Sequence, residues 1–211
     1  MSSGYFSNVR HDIVPYVPAR SARVLEIGCG TGNTLAYLKH ERLAAWVGGF
    51  EYDAASADEA RTKVDWLQHG DVERDTIELE PGSLDAILCL DVLEHLRDPW
   101  ALMPKLTKLL TPNGVVISSI PNVRNRHVVR DLVFKNKWEY ADEGLLDRTH
   151  LRFFTRPSAR HLMECGGLKI DVETDLGFSD RPERKFKNAM AFGMLKDFYV
   201  HQFIFRARRA G

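Results

Sequence analysis

The chain has 211 residues, 44% hydrophobic and 27% charged, with fifteen glycines and nine prolines, a composition that fits one globular domain rather than a repeat array or a disordered chain. Its 29 basic and 29 acidic side chains cancel to a formal net charge of zero, which argues against polyanion binding through bulk charge. No apolar run approaches the roughly 18 residues needed to cross a bilayer, and the opening MSSGYFSNVRHD lacks the apolar core of a signal peptide. A cytoplasmic protein without membrane insertion is therefore expected. Cys29, Cys89 and Cys165 are odd in number and widely spaced, so neither a disulfide framework nor a zinc knuckle is expected.

In chain order, a polar, proline-marked segment runs to Pro18, and Arg23 to Ile27 (RVLEI) reads as a buried strand closed by glycines. A helix from Thr31 to His40 and a strand from Trp46 to Tyr52 complete a βαβ unit with a parallel pair. A helix over Ala54 to Lys63, a short strand over Val64 to Leu67 and a strongly apolar strand over Leu84 to Leu90 continue the alternation. Asp98-Pro99 caps a helix running through Leu110, Thr111 to Gly114 is a turn, and Val115 to Ile120 is a strand. From Asn122 to His150 the pattern changes to charged and aromatic residues with one apolar stripe, Val128, Val129, Leu132 and Val133, which reads as a lid insertion after the fifth strand. Pro157 to Cys165 is expected as a helix, and Leu168 to Val172 and Phe198 to Phe205 as strands. The basic tail Arg206, Arg208 and Arg209 is expected to fray. The fold expected is a single α/β domain over 1–211, a Rossmann-like doubly wound, mostly parallel sheet with residues 122–150 as the lid.

The most informative segment is VLEIGCGTGNT, Val24 to Thr34. Glycines at 28, 30 and 32 permit positive φ and let a ligand lie on bare backbone at a helix start. A dinucleotide fingerprint wants a third glycine where Asn33 stands, and Glu26 is a poor neighbour for a pyrophosphate, so a nicotinamide enzyme is disfavoured. A ligand with an ammonium group suits Glu26 instead.

The pattern E-x-G-x-G-x-G after a strand resembles the first motif of class I S-adenosylmethionine-dependent methyltransferases, and the family pattern continues with Glu51 at the end of the second strand and Asp71 after the third. A carboxylate such as Glu51 has two acceptor oxygens for a vicinal diol. The resemblance implies a seven-stranded sheet and S-adenosylmethionine as cofactor. It places Glu26, Gly28, Cys29, Gly30, Gly32, Glu51, Tyr52, Asp71, Val72 and Leu90 against that cofactor.

Further on, LDVLEHLRDP and LLDRTHLRFFT supply Asp91, Glu94, His95 and His150. A helix starting just after Leu90 would put Asp91, Glu94 and His95 at i, i+3 and i+4 on one face. These segments resemble methyltransferases of small-molecule and polysaccharide pathways, and also ubiquinone-pathway and small-RNA 2′-O-methyltransferases in which such a cluster holds a divalent metal. The resemblance implies methyl transfer to a hydroxyl of a small-molecule or glycan acceptor, with His95 and His150 as catalytic bases, or with Asp91, Glu94, His95 and His150 around Mg²⁺. A noncatalytic cofactor-binding regulatory or assembly partner and an RNA 2′-O-methyltransferase stay open as alternatives, although the balanced charge disfavours nucleic acid. Arg124, Arg126, Arg130, Lys135 and Lys137 form a basic stretch in the lid, with Trp138, Tyr140, Phe153 and Phe154 as aromatic neighbours. Neither the acceptor nor the oligomeric state is legible.

Overall fold

The computed structural model describes residues 9–19, 21–177, 188–190, 192–193 and 195–210. Strands β1 (Ser21–Ile27), β2 (Ala44–Glu51), β3 (Trp66–His69), β4 (Leu84–Leu90), β5 (Leu110–Pro121), β6 (Leu168–Leu176) and β7 (Gln202–Arg209) form one sheet in the order β3-β2-β1-β4-β5-β7-β6. The first five are parallel and β7 runs antiparallel between β5 and β6. Strand order reverses between β1 and β4, which opens a crevice at their carboxyl ends, where open α/β sheets bind ligands.

Helices α1 (Asn33–His40), α2 (Ala54–Ala60), α3 (Pro99–Leu109), α4 (Arg126–Lys135), α5 (Arg156–Glu164) and the single turn α6 (Lys196–Tyr199) accompany the sheet. The two-residue period of β1 divides the core. Leu25 and Ile27 face one cluster with Met103, Leu106 and Leu162, while Val24 joins Ile13, Leu35, Leu38 and Leu88 on the opposite face. Glu26 follows Val24 by two and therefore belongs to the second face. β4 is buried on both sides, which explains its continuous apolar sequence. The Asp98 side chain accepts from the Ala101 amide 3.1 Å away and caps α3, as Asp followed by Pro leads one to expect.

Two expectations are corrected at the closing strands. The aromatic run from Phe198 reads as strand, yet Lys196–Tyr199 is a helical turn and β7 begins only at Gln202. Tertiary contact overrides β propensity here: the fully buried Asn122 amide donates to the carbonyls of Asp197 (2.7 Å) and Val200 (3.0 Å), fixing the turn. The basic tail is not frayed either. Arg206 and Arg208 lie within β7 and both donate to the Asp171 carboxylate, and Arg209 donates to the Leu110 carbonyl. The expected turn at 111–114 lies inside β5 as an irregularity, between the pairs Leu84–Leu110 and Ala86–Val115. The stretch from Gly177 to Leu195, which carries no recognisable motif in the sequence, lies largely outside the described residues. Among the described residues no helix is long and apolar enough to cross a membrane.

Candidate active site

Glu26, one residue before the end of β1, is 4% exposed, with Oε2 lacking any hydrogen-bond partner. Burial pushes its carboxyl up to about 8, against an opposing pull from Arg10 and a smaller push from Glu51. The chain then turns through Gly28, Gly30 and Gly32, all at positive φ (70°, 54° and 76°). Only glycine holds three such positions in five residues without strain, and a Cβ at Gly28 would sit 3.0 Å from Val92 Cγ2.

Glu51, 6% exposed, braces this loop: Oε2 accepts from the Gly30 amide (2.7 Å), and Oε1 from the amides of Tyr52 (2.9 Å) and Asp53 (2.8 Å). Tyr52 stands 75% exposed at the rim. Leu90 is buried at the end of β4. Cys29 lends the loop its backbone. Its Sγ packs on β2, where a Cβ on Gly49 would meet it at 2.5 Å, and burial, reinforced by Glu26 and Glu51, pushes its thiol up, so it is no nucleophile. Asp71 closes a turn, accepting from the Glu73 amide at 3.0 Å beside Arg74. Val72 joins the core cluster that contains Phe50.

Sequence reading missed Arg10. Its segment, a 3-10 turn over His11–Tyr16, packs under Ile13 and brings the guanidinium to Asp12 (2.8 Å), to Ser119 Oγ (3.0 Å) and to Asp91. Burial opposes its charge, but Asp12, Asp91 and Glu26 outweigh that and hold it firmly protonated. The only sequence signal was Arg-x-Asp ahead of a proline, which any surface turn can show.

The expected helical face after Leu90 does not form. Asp91 adopts φ 55°, and only a single 3-10 turn, Leu93–His95, follows. Asp91 consequently turns to Arg10 and Gln202 and stands outside the group that Glu94, His95 and His150 make, whose candidate ligand atoms all lie within 4.8 Å of one another. His150 arrives from the far segment because the amides of Leu151 and Arg152 both donate to the Glu94 carbonyl (2.8 and 2.9 Å). The two imidazoles meet edge to face at 4.7 Å. Nδ1 of His95 is engaged by Thr149 Oγ1 (3.0 Å), and Nδ1 of His150 lies 3.3 Å from the Leu145 carbonyl, which leaves each Nε2 for a ligand.

Burial lowers both histidines below their ordinary 6.5, His95 further through His150, so both are neutral at neutral pH. Burial, then the neighbouring Asp91, pushes Glu94 well above the carboxylate range. The 3.9 Å approach of His150 Nε2 to Glu94 Oε1 is therefore a contact of neutral groups rather than an ion pair. Glu94 is 1% exposed with neither oxygen hydrogen-bonded. Of the six such orphaned side-chain atoms among the described residues, three belong to Glu26 and Glu94. Orphans of this kind cost roughly 1–3 kcal/mol each, which singles out Glu26 and Glu94 as candidate ligand-binding groups.

The model of the methyltransferase-domain family matches residues 3–173. The chain belongs to this family. Its sheet is that of the class I, Rossmann-like methyltransferases. A S-adenosylmethionine-dependent methyltransferase from Archaeoglobus fulgidus superposes with a TM-score of 0.67 at 16% identity, covering 94% of this chain and 91% of that one. Among curated methyltransferases, this chain is 34% identical over 134 residues to a ubiquinone biosynthesis O-methyltransferase of Neisseria meningitidis serogroup C, covering 57% of this chain and 56% of that protein. It is 35% identical over 126 residues to a trans-aconitate 2-methyltransferase of Escherichia fergusonii, covering 57% and 48%. The matched region spans about half the length of these methyltransferases.

Proposed function

We propose that this chain transfers a methyl group from S-adenosylmethionine to a hydroxyl of a small-molecule or glycan acceptor. The observation that carries the reading is the buried Glu26 carboxyl, its Oε2 without a partner, beside three positive-φ glycines at the point where strand order reverses. An arriving ammonium group would give Oε2 the partner it lacks and draw off the proton that the carboxyl holds near neutral pH, and Arg10 nearby suits the carboxylate of the same amino acid. Glu51, with three of its roughly four lone-pair sites taken by the amides of Gly30, Tyr52 and Asp53, keeps one on Oε2 for a ribose hydroxyl, with Tyr52 at the rim for the base. The turn at Asp71 and Val72 closes the same end. When bound, S-adenosylmethionine supplies a methyl carbon made electrophilic by its sulfonium.

A hydroxyl acceptor and a carboxylate acceptor ask different things of the site. A carboxylate is ionised at neutral pH and needs no base, whereas a hydroxyl must lose its proton as it attacks. Neutral His95 and His150, each with Nε2 left for a ligand, are suited to take that proton, and an anionic acceptor would gain nothing from them. Residues 122–150, carrying α4, form the acceptor-side lid of a single domain.

A second reading rests on the two orphaned oxygens of Glu94. With His95 and His150 they make a carboxylate and two imidazoles, a set that holds a divalent cation and suits nitrogen-accepting metals better than Mg²⁺. Such a cation would lower the hydroxyl pKa in place of a histidine base. Titration calorimetry with S-adenosylhomocysteine tests the cofactor half, and absence of binding at high micromolar ligand refutes it. For the acceptor half, labelled methyl transfer to a panel of phenols and glycans is measured with and without chelator. Loss on chelation selects the metal reading, and indifference selects the histidine base.

A further inference from the structure

Just before His150 the chain makes a tight turn in which the His150 amide donates to the Asp147 carbonyl (3.0 Å). The Asp147 carboxylate fastens this turn from within: Oδ1 accepts from the Thr149 amide (2.7 Å) and from the Thr149 hydroxyl (2.6 Å). Burial alone would raise the Asp147 carboxyl, but those two bonds hold it below the ordinary carboxylate range. At neutral pH it is therefore ionised and can only accept. Thr149 Oγ1 also stands 3.0 Å from Nδ1 of His95, and the Thr149 carbonyl lies 3.3 Å from the same nitrogen, although the two residues are 54 positions apart.

These partners leave one consistent arrangement of protons. A hydroxyl has a single proton to give, and Asp147 has none, so the Thr149 proton lies between Oγ1 and Oδ1, the shorter of the hydroxyl's two side-chain contacts. Oγ1 then meets His95 with a lone pair, and the Thr149 carbonyl meets it with another. Both neighbours of Nδ1 accept, so Nδ1 carries the imidazole proton. We infer that Asp147 and Thr149 are positioning residues that fix His95 in the tautomer with a bare Nε2, the form required of a base for a hydroxyl or of a ligand to a cation. A neutral imidazole free in water prefers the opposite tautomer, with its proton on Nε2. The turn itself does not need the hydroxyl, because the Thr149 amide reaches Asp147 whatever side chain stands at 149. The catalytic purpose of this hydrogen-bond chain rests on the proposed transfer to a hydroxyl, whereas the tautomer does not.

The test is long-range proton–nitrogen correlation spectroscopy of the nitrogen-labelled full chain, treated with chelator and held at mildly alkaline pH, where imidazole is neutral. The His95 ring signals are identified by their loss in His95→Gln. The unaltered chain is expected to show Nδ1 protonated and Nε2 bare. Thr149→Val and Asp147→Ala should each move the proton toward Nε2, and Thr149→Ser should keep the parent pattern. In labelled methyl transfer, Thr149→Val should lower kcat about tenfold with S-adenosylhomocysteine affinity unchanged, and Thr149→Ser should recover the loss. A proton on Nε2 of His95 in the unaltered chain overturns the inference, and that outcome needs no variant to fold. A Thr149→Val spectrum with the parent's tautomer overturns it as well. Absence of methyl transfer from the unaltered chain refutes the proposed transfer instead, while the spectrum still decides the tautomer.

Discussion

The glycine loop after β1 and the segment after β5 are built in opposite ways. The loop joins the buried strand β1 to helix α1, its amides are bonded to Phe50 and Glu51, and the acids beside it lie within the core. The segment after β5, from Arg126 to Thr149, buries Val128 and little else, is held by a few backbone bonds, and spends its apolar side chains outward. A family whose members share a cofactor and differ in acceptor needs this division. Rigid strand ends present a fixed ligand with fixed charges, while an exposed segment tolerates substitution. His150 is the exception, a buried residue delivered by the exposed segment to the rigid half.

The largest expected effect tests that exception. His150→Ala should lower kcat by about 10²- to 10⁴-fold while leaving S-adenosylhomocysteine affinity unchanged in calorimetry, and an equal loss of affinity would merge the two halves into one. In the unaltered chain the acid fall of activity should lie below pH 6.5, because burial holds both histidines under that value. Glu26→Gln should do the reverse of His150→Ala, weakening the cofactor analogue by roughly 10- to 100-fold through loss of a charge-assisted bond.

The same residue gives the cofactor half a pH signature. The folded Glu26 carboxyl at about 8 exceeds its ordinary 4.5, so its contribution to stability is fully present below 4.5 and is lost as pH rises through about 8. The thermal midpoint of the ligand-free protein should therefore fall across that window, and Glu26→Gln should flatten the fall. Asn122→Ala removes the bonds to Asp197 and Val200 at the root of the segment after β5 and should cost about 1–3 kcal/mol in denaturant unfolding. Phe134→Ser, with nothing packed on it, should stay within about 0.5 kcal/mol of the parent.

What was legible in the sequence were the local rules. Asp98-Pro99 announced its helix, RVLEI and LDAILCL announced buried strands, and the alternating glycines announced the positive-φ loop after β1. The misreadings share one cause, contact between residues distant in sequence. Phe198 to Val200 has strand composition but is bent into a turn by Asn122, and Arg206 and Arg208 look like a tail until Asp171 pairs them. Asp91 was grouped with Glu94 and His95 on the premise of a helix, and Arg10 drew it elsewhere.

The sequence by itself thus determined the parallel strands, the glycine loop and the acids near the strand ends, because strand period, helix caps and positive-φ glycines are properties of neighbouring residues. Only the tertiary structure decided which polar groups were left without partners. Glu26 and Glu94 are ordinary carboxylates in the sequence. They become a claim about ligands once the packing of β1, β4 and the returning His150 segment removes water from them and supplies nothing in its place.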